Sequence, residues 1–107
     1  MLWTAQIAAA ALFLFAGTLK LAGAAPMVQV FAAIGVGQWF RYVTGTIEIV
    51  SALLLLVPSL AFFGASALMV TMIGAVFTHL VIVGGNPTPA IALLAVTLAI
   101  AWARRPR

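Results

Sequence analysis

The segment Gln38–Ser51 reads Gln-Trp-Phe-Arg-Tyr-Val-Thr-Gly-Thr-Ile-Glu-Ile-Val-Ser and contains Glu48, the only acidic side chain in the chain. At helical spacing, five of its polar and small residues fall on one narrow face of the helix: Arg41, Thr44, Gly45, Glu48 and Ser51. An ionisable group at membrane depth costs about 2.5–3.5 kcal/mol on insertion scales, and such groups usually mark function. The alternative interpretation is a buried charge that only fixes how the helices pack.

The composition indicates one membrane domain over residues 1–107. The chain is 66% hydrophobic and only 6% charged, whereas a soluble domain has about 25% charged residues. Three of its five basic residues lie within the last four positions, Arg104, Arg105 and Arg107, so no basic face is left for a nucleic acid. Cysteine is absent, which excludes disulfides, thiolate metal sites and dithiol exchange by this chain.

The hydrophobic pattern predicts an all-α fold, a bundle of four transmembrane helices at about residues 2–23, 39–57, 60–83 and 88–103. A signal peptide is the alternative for the first segment, but it has no basic n-region and Lys20 interrupts the approach to a cleavage site. Between the first two spans, Pro26 can begin a short helix and Gly35 can end it. We expect this segment to lie at the membrane interface or to be re-entrant, and to help enclose the surroundings of Glu48.

The basic C-terminus predicts the orientation in the membrane. Four spans put both termini on one side, and the positive-inside rule makes that side cytoplasmic. The protein is therefore expected to be a multi-pass protein of the inner (plasma) membrane, with the connections Lys20–Arg41 and Gly84–Pro89 outside. Lys20 and Arg41 weigh against this orientation unless the bundle sequesters them.

In this topology the ionisable residues gather in the outer half of the bundle. Glu48 lies two turns, or about 10 Å, deeper than Arg41, and His79 is about one turn deep. Helical side chains lean toward the N-terminus, which favours Lys20 as the partner of Glu48, followed by His79. Arg41 leans away from Glu48 and is expected at the rim, reaching headgroups or an anionic end of a ligand.

We therefore predict a ligand-binding or ion-pair network of five residues, Lys20, Arg41, Thr44, Glu48 and His79. The alternative for the histidine is a side chain that is only hydrogen-bonded within a packed bundle. One His and one Glu do not make a metal site, and the sequence has no catalytic triad or phosphate loop. No catalytic or metal-ligating residue is predicted.

Three blocks of the sequence resemble the DoxX-like membrane proteins: Ala16-Gly17-Thr18-Leu19-Lys20-Leu21, Tyr42-Val43-Thr44-Gly45-Thr46-Ile47-Glu48 and Thr78-His79-Leu80. The resemblance implies a four-helix membrane bundle with Lys20, Glu48 and His79 in family positions. Some members of that family are membrane subunits of thiosulfate–quinone oxidoreductases or partners in thiol-oxidant defence, and more distant ones assist receptor assembly. The resemblance thus implies at most an oxidoreductase subunit, and the missing cysteine argues against thiol chemistry on this chain.

Three hypotheses for function follow. The first is a subunit with an outward-facing polar pocket that binds or anchors a quinone-like or lipid-like molecule for a membrane redox or envelope-stress system. The second is a proton-coupled exporter resembling the small multidrug transporters, whose carboxylate, however, lies in the first helix. The third is an assembly factor without a ligand. Expected partners are membrane lipids, a redox protein and further subunits in a homo- or hetero-oligomer, because 107 residues enclose little volume.

Overall fold

The computed structural model describes residues 2–84 and 86–106, apart from the side chains of Leu2 and Val83. Gly85 of the predicted loop and Arg107 of the basic cluster lie outside the described residues. The chain forms α1 (Leu2–Ala22), α2 (Ala25–Ile34), α3 (Trp39–Leu55), α4 (Ala61–Phe77), a π-helical turn (Thr78–Val83) and α5 (Thr88–Arg104). The described residues include no strand, so the prediction of an all-α fold is confirmed.

Glycine residues end the first two helices. Gly23 has φ 75°, and its N–H donates to the carbonyl of Lys20 while the N–H of Ala24 donates to that of Leu19. This is a Schellman motif, which satisfies two carbonyls at the end of α1. Helix α2 contains Pro26 in its first turn and ends at Gly35, which has φ 83°, so a short helix lies where these two residues predicted one.

Helix α3 is shorter than the sequence predicted. It ends at Leu55, two residues before the predicted end at Val57. The reason is Pro58, because the residue before a proline is disfavoured in the helical region of backbone conformation. Residues 56–60 then form the turn that leads into α4.

Each long helix packs against its neighbours along the chain, α1 on α3, α3 on α4 and α4 on α5. Much of the core between them is alanine, including Ala9, Ala10, Ala52 and Ala65. Gly64 of α4 is so close to α3 that a methyl group there would lie 2.6 Å from the carbonyl oxygen of Ser51. Small residues of this kind let helix backbones approach closely, as is typical of membrane bundles.

The outer surface carries large apolar side chains. Phe15, Val70 and Leu98 are 54%, 65% and 54% exposed, which suits contact with hydrocarbon and would be unusual over a whole surface in water. The segments Trp3–Ala22 and Ala61–Ile82 are long and apolar enough to cross a membrane. Helices α3 and α5 have 17 residues each, about 26 Å at 1.5 Å per residue, so the bundle of four spans stays a prediction.

A buried polar contact lies far from Glu48 and was not predicted from the sequence. Gln6 of α1 is fully buried. Its Nε2 donates to the carbonyl of Leu55 over 2.8 Å, and its Oε1 accepts from Nε of Arg104 over 2.7 Å. One amide therefore links α1, the end of α3 and the end of α5, and Arg104 is bound within the bundle as well as belonging to the basic C-terminus.

Candidate functional site

The site is built where α1 crosses α3. Gly17 of α1 faces Gly45 of α3 with no side chain between the two backbones. Because the two helices are antiparallel, Lys20, one turn after Gly17, lies beside Gly45, and Glu48, one turn after Gly45, lies beside Gly17. Each side chain leans back toward the N-terminus of its own helix, and therefore toward the other. The Lys20 ammonium lies 2.9 Å from Oε1 of Glu48, and their side chains are 14% and 2% exposed.

The second carboxylate oxygen of Glu48 is different. Oε2 is buried and has no hydrogen-bond partner among the residues that the structure describes. Buried polar atoms are nearly always hydrogen-bonded, and an unpaired one calls for an explanation. Glu48 is also among the residues that line a cavity, so this unpaired acceptor belongs to a side chain that borders an open space.

Arg41 lies inside the bundle, and the prediction from the sequence that it lies at the rim is wrong. It is only 5% exposed. Its Nε donates to Oε1 of Gln38 over 2.9 Å, its Nη1 donates to the carbonyl of Lys20, and its guanidinium lies 4.4 Å from the centre of the Tyr42 ring. The guanidinium therefore binds the C-terminal end of α1, where the helix dipole favours a cation, and it is not free to reach a headgroup.

His79 belongs to the π-helical turn and does not pair with Glu48. Its Nδ1 lies 3.1 Å from the carbonyl oxygen of Gly84. A carbonyl can only accept, so Nδ1 carries the proton and, in the neutral ring, Nε2 is an acceptor. Gly84 has φ 78° and ψ −159°, a conformation that is essentially restricted to glycine and that turns its carbonyl toward the histidine.

A cavity of about 420 Å³ connects these elements. Lys20 and Glu48 are on its wall, as are Thr44 of α3 and His79 of the π-helical turn. Helix α2 supplies an apolar side, Met27, Val30, Phe31 and Ile34. The expectation that the short segment helps to enclose the surroundings of Glu48 is confirmed, while its position at a membrane interface stays a prediction.

Three threonines on the cavity wall use their hydroxyl protons within their own helices. Thr44 donates to the carbonyl of Phe40, Thr71 to that of Ala67 and Thr78 to that of Gly74, over 2.9, 2.9 and 2.8 Å. Of these three threonines, only Thr44 was predicted from the sequence. The spacing of Thr71 and Thr78, seven residues apart on one helical face, could have indicated the other two.

Four of the five predicted site residues thus share one cavity, and Arg41 supports it from outside through the carbonyl of Lys20. That they bind a ligand stays a prediction. Within the described ranges, no group of three or more His, Cys, Asp or Glu side chains could hold a metal ion.

In a comparison with known protein families, the model of the DoxX-like family matches residues 4–104, nearly the whole chain. No curated protein and no solved structure is significantly similar.

Proposed function

The chain belongs to the DoxX-like family, a family of membrane-associated proteins, and we propose that it binds a lipophilic molecule with a polar head, quinone-like or lipid-like, in the cavity beside Glu48. In this proposal it acts as a binding or anchoring subunit of a membrane redox or envelope-stress system. The link to such a system rests on the family resemblance. The binding function rests on the cavity itself.

One observation carries the proposal: a largely apolar cavity is lined by Glu48, and one carboxylate oxygen of that residue is buried without a hydrogen-bond partner among the described residues. Ligand pockets are mostly apolar, have volumes of roughly 300–1,000 Å³ and use a few polar groups to orient the ligand. The cavity, of about 420 Å³, falls in that range. Its apolar lining suits a tail or ring, and Glu48 suits the head.

A second candidate is proton-coupled export. It is favoured by a buried carboxylate with one unpartnered oxygen, since intramembrane carboxylates often carry protons in transporters. The 2.9 Å contact of Glu48 with Lys20 also gives the carboxylate a structural role, because each charge compensates the other inside the bundle. An assembly factor without a ligand is the third candidate, and it leaves the cavity unexplained.

The setting that we propose is multi-pass in the inner (plasma) membrane, with both termini cytoplasmic and membrane lipids around the apolar surface. A redox protein or further copies of the chain would complete the assembly. The exposed apolar side chains of the long helices support contact with lipid and with other subunits alike.

The proposal is tested by introducing a large side chain at a position of the cavity wall that has space for it. Gly74 lies on the cavity wall, and a methyl group there would meet nothing within 4 Å, so Gly74→Phe should occupy the space without straining the backbone. Ile73→Phe is the matched control, because Ile73 is 52% exposed on the same helix and does not line the cavity.

Native mass spectrometry of gently extracted protein should find a bound small molecule in the wild type and in Ile73→Phe, and not in Gly74→Phe. No bound molecule in the wild type, or equal retention by Gly74→Phe, contradicts the proposal.

A further inference from the structure

The polar atoms on the cavity wall are mostly hydrogen-bond acceptors. The hydroxyl protons of Thr44, Thr71 and Thr78 are used by backbone carbonyls of their own helices. Each hydroxyl oxygen then keeps only lone pairs for any further contact. Glu48 adds a pure acceptor, the buried Oε2 that has no partner among the described residues.

The histidine follows the same pattern. Nδ1 of His79 donates to the carbonyl of Gly84, so in the neutral ring Nε2 offers a lone pair. Among the described side chains that line the cavity, Lys20 is the only donor whose N–H groups are not used by the backbone. Its ammonium lies 2.9 Å from Oε1 of Glu48, which uses one of its three N–H groups and leaves two as donors. Acceptors still outnumber donors, because the three hydroxyl oxygens, Nε2 of His79 and Oε2 of Glu48 all offer lone pairs.

From this excess of acceptors, and resting on the proposed function, we infer that the ligand is an uncharged amphiphile that donates hydrogen bonds through hydroxyl groups. An acceptor-only head, such as a carbonyl or an ether, could accept from Lys20, but it would leave Oε2 of Glu48 unpaired and would meet the other lone pairs on the wall. For a quinone-type molecule, the cavity therefore prefers the hydroquinone over the quinone.

The charge of the site favours a neutral head. Glu48 is already matched by the ammonium of Lys20, so the two groups have no net charge between them. A cationic head at Oε2 would lie next to that ammonium, and an anionic head would face the carboxylate. A hydroxyl group supplies the missing proton donor without adding a charge.

The experiment compares two probes that differ in a single donor. 4-Decylphenol has a hydroxyl group, and 4-decylanisole replaces its proton by a methyl group. Binding to the purified chain in lipid nanodiscs is measured by calorimetry, with empty nanodiscs as the blank for partitioning. We expect the phenol to bind at least about tenfold more tightly, the factor for one hydrogen bond to a charged acceptor.

Glu48→Gln tests which atom makes this distinction. The amide oxygen should face the Lys20 ammonium as Oε1 does, which puts an N–H donor where Oε2 was. The preference for the phenol should then fall to less than about twofold, because the site now donates. Thr46→Val is the matched control, since Thr46 is exposed on the same helix and does not line the cavity; it should keep the wild-type preference.

The outcomes separate this inference from the proposed function. If both probes bind equally and Gly74→Phe abolishes this binding, the proposed binding function stands and the preference for a hydrogen-bond donor is overturned. Binding of neither probe above the blank overturns both. A third probe, decylamine, binding more tightly than the phenol would overturn a neutral ligand and favour a cation. The comparison of probes in the wild type decides the inference even if Glu48→Gln fails to fold.

Discussion

Gly17 and Gly45 lie in direct backbone contact where α1 crosses α3. A methyl group on Gly17 would lie 2.8 Å from the carbonyl oxygen of Gly45 and 2.7 Å from Cγ1 of Ile49. In the other direction, a methyl group on Gly45 would lie 3.0 Å from the carbonyl oxygen of Gly17. The distance between the two helices, and with it the reach from Lys20 to Glu48, is therefore set by the absence of side chains at these positions.

This contact predicts that Gly17→Ala destabilises the protein even though alanine is the better helix former. The added methyl group meets backbone, which cannot rotate away, and overpacking of this kind costs roughly 1–3 kcal/mol. Gly74→Ala is the matched control, because a methyl group there has open space and should stabilise the helix by about 0.5–1 kcal/mol. Unfolding in detergent, followed by circular dichroism, measures both. A neutral Gly17→Ala would show that the crossing is not tightly packed.

The ion pair predicts strong coupling between Lys20 and Glu48. Removing one partner leaves a buried charge without a counter-charge, which typically costs ~3–5 kcal/mol. Glu48→Gln and Lys20→Met should each lower the melting temperature, and the double variant should recover part of the loss.

The double-mutant cycle should give a coupling energy above about 1 kcal/mol, within the range found for residues in contact. Thermal melts of the wild type, both single variants and the double variant complete it. A coupling energy indistinguishable from zero would contradict the pair. Together with a stable Glu48→Gln that has lost transport, it would favour the proton-coupled exporter.

Arg41 predicts a local effect at the end of α1. Its Nη1 donates to the carbonyl of Lys20 and its Nε donates to Gln38. Arg41→Met should cost about 1–3 kcal/mol, the penalty for a buried polar group left without its partner. Arg41→Lys should restore little, because an ammonium cannot reproduce the fork of the guanidinium.

Hydrogen exchange gives the specific readout for Arg41. Amides at residues 20–24 should exchange faster in Arg41→Met, while those of α5 should stay unchanged. Arg105→Met is the control, since Arg105 stacks on the exposed ring of Trp102 at 3.8 Å, where such a contact contributes little. Equal effects of the two substitutions on residues 20–24 would contradict the role given to Arg41.

Local sequence signals predicted the features that depend on neighbouring residues. Pro26 and Gly35 delimit α2 because their backbone preferences act where they stand. The partner of Glu48 followed from the direction in which helical side chains lean. Lys20 approaches from an antiparallel helix, and the structure has the two groups in contact.

The features that were missed depend on distant contacts. Gln6 binds Leu55 and Arg104, which are 49 and 98 residues away, and no local pattern indicates such partners. Arg41 was expected at the rim because its side chain leans outward, but its real partner is a carbonyl at the end of α1, whose position in space only the fold determines. The π-helical turn at Thr78–Val83 likewise has no signature in the local sequence.

The proposed orientation is tested by labelling, for which the chain offers a clean background because it has no cysteine. Asn86 is exposed in the connection before α5, and Pro106 is exposed near the C-terminus. If both termini are cytoplasmic, Asn86→Cys should react with a membrane-impermeant maleimide in intact cells, and Pro106→Cys should react only after lysis. The Asn86 side chain accepts the N–H of Thr88 over 3.0 Å, so the expression level of that variant is compared with the wild type first. Labelling of Pro106→Cys in intact cells, with Asn86→Cys protected, would invert the topology. Labelling of both from the same side would contradict an odd number of spans between Asn86 and the C-terminus.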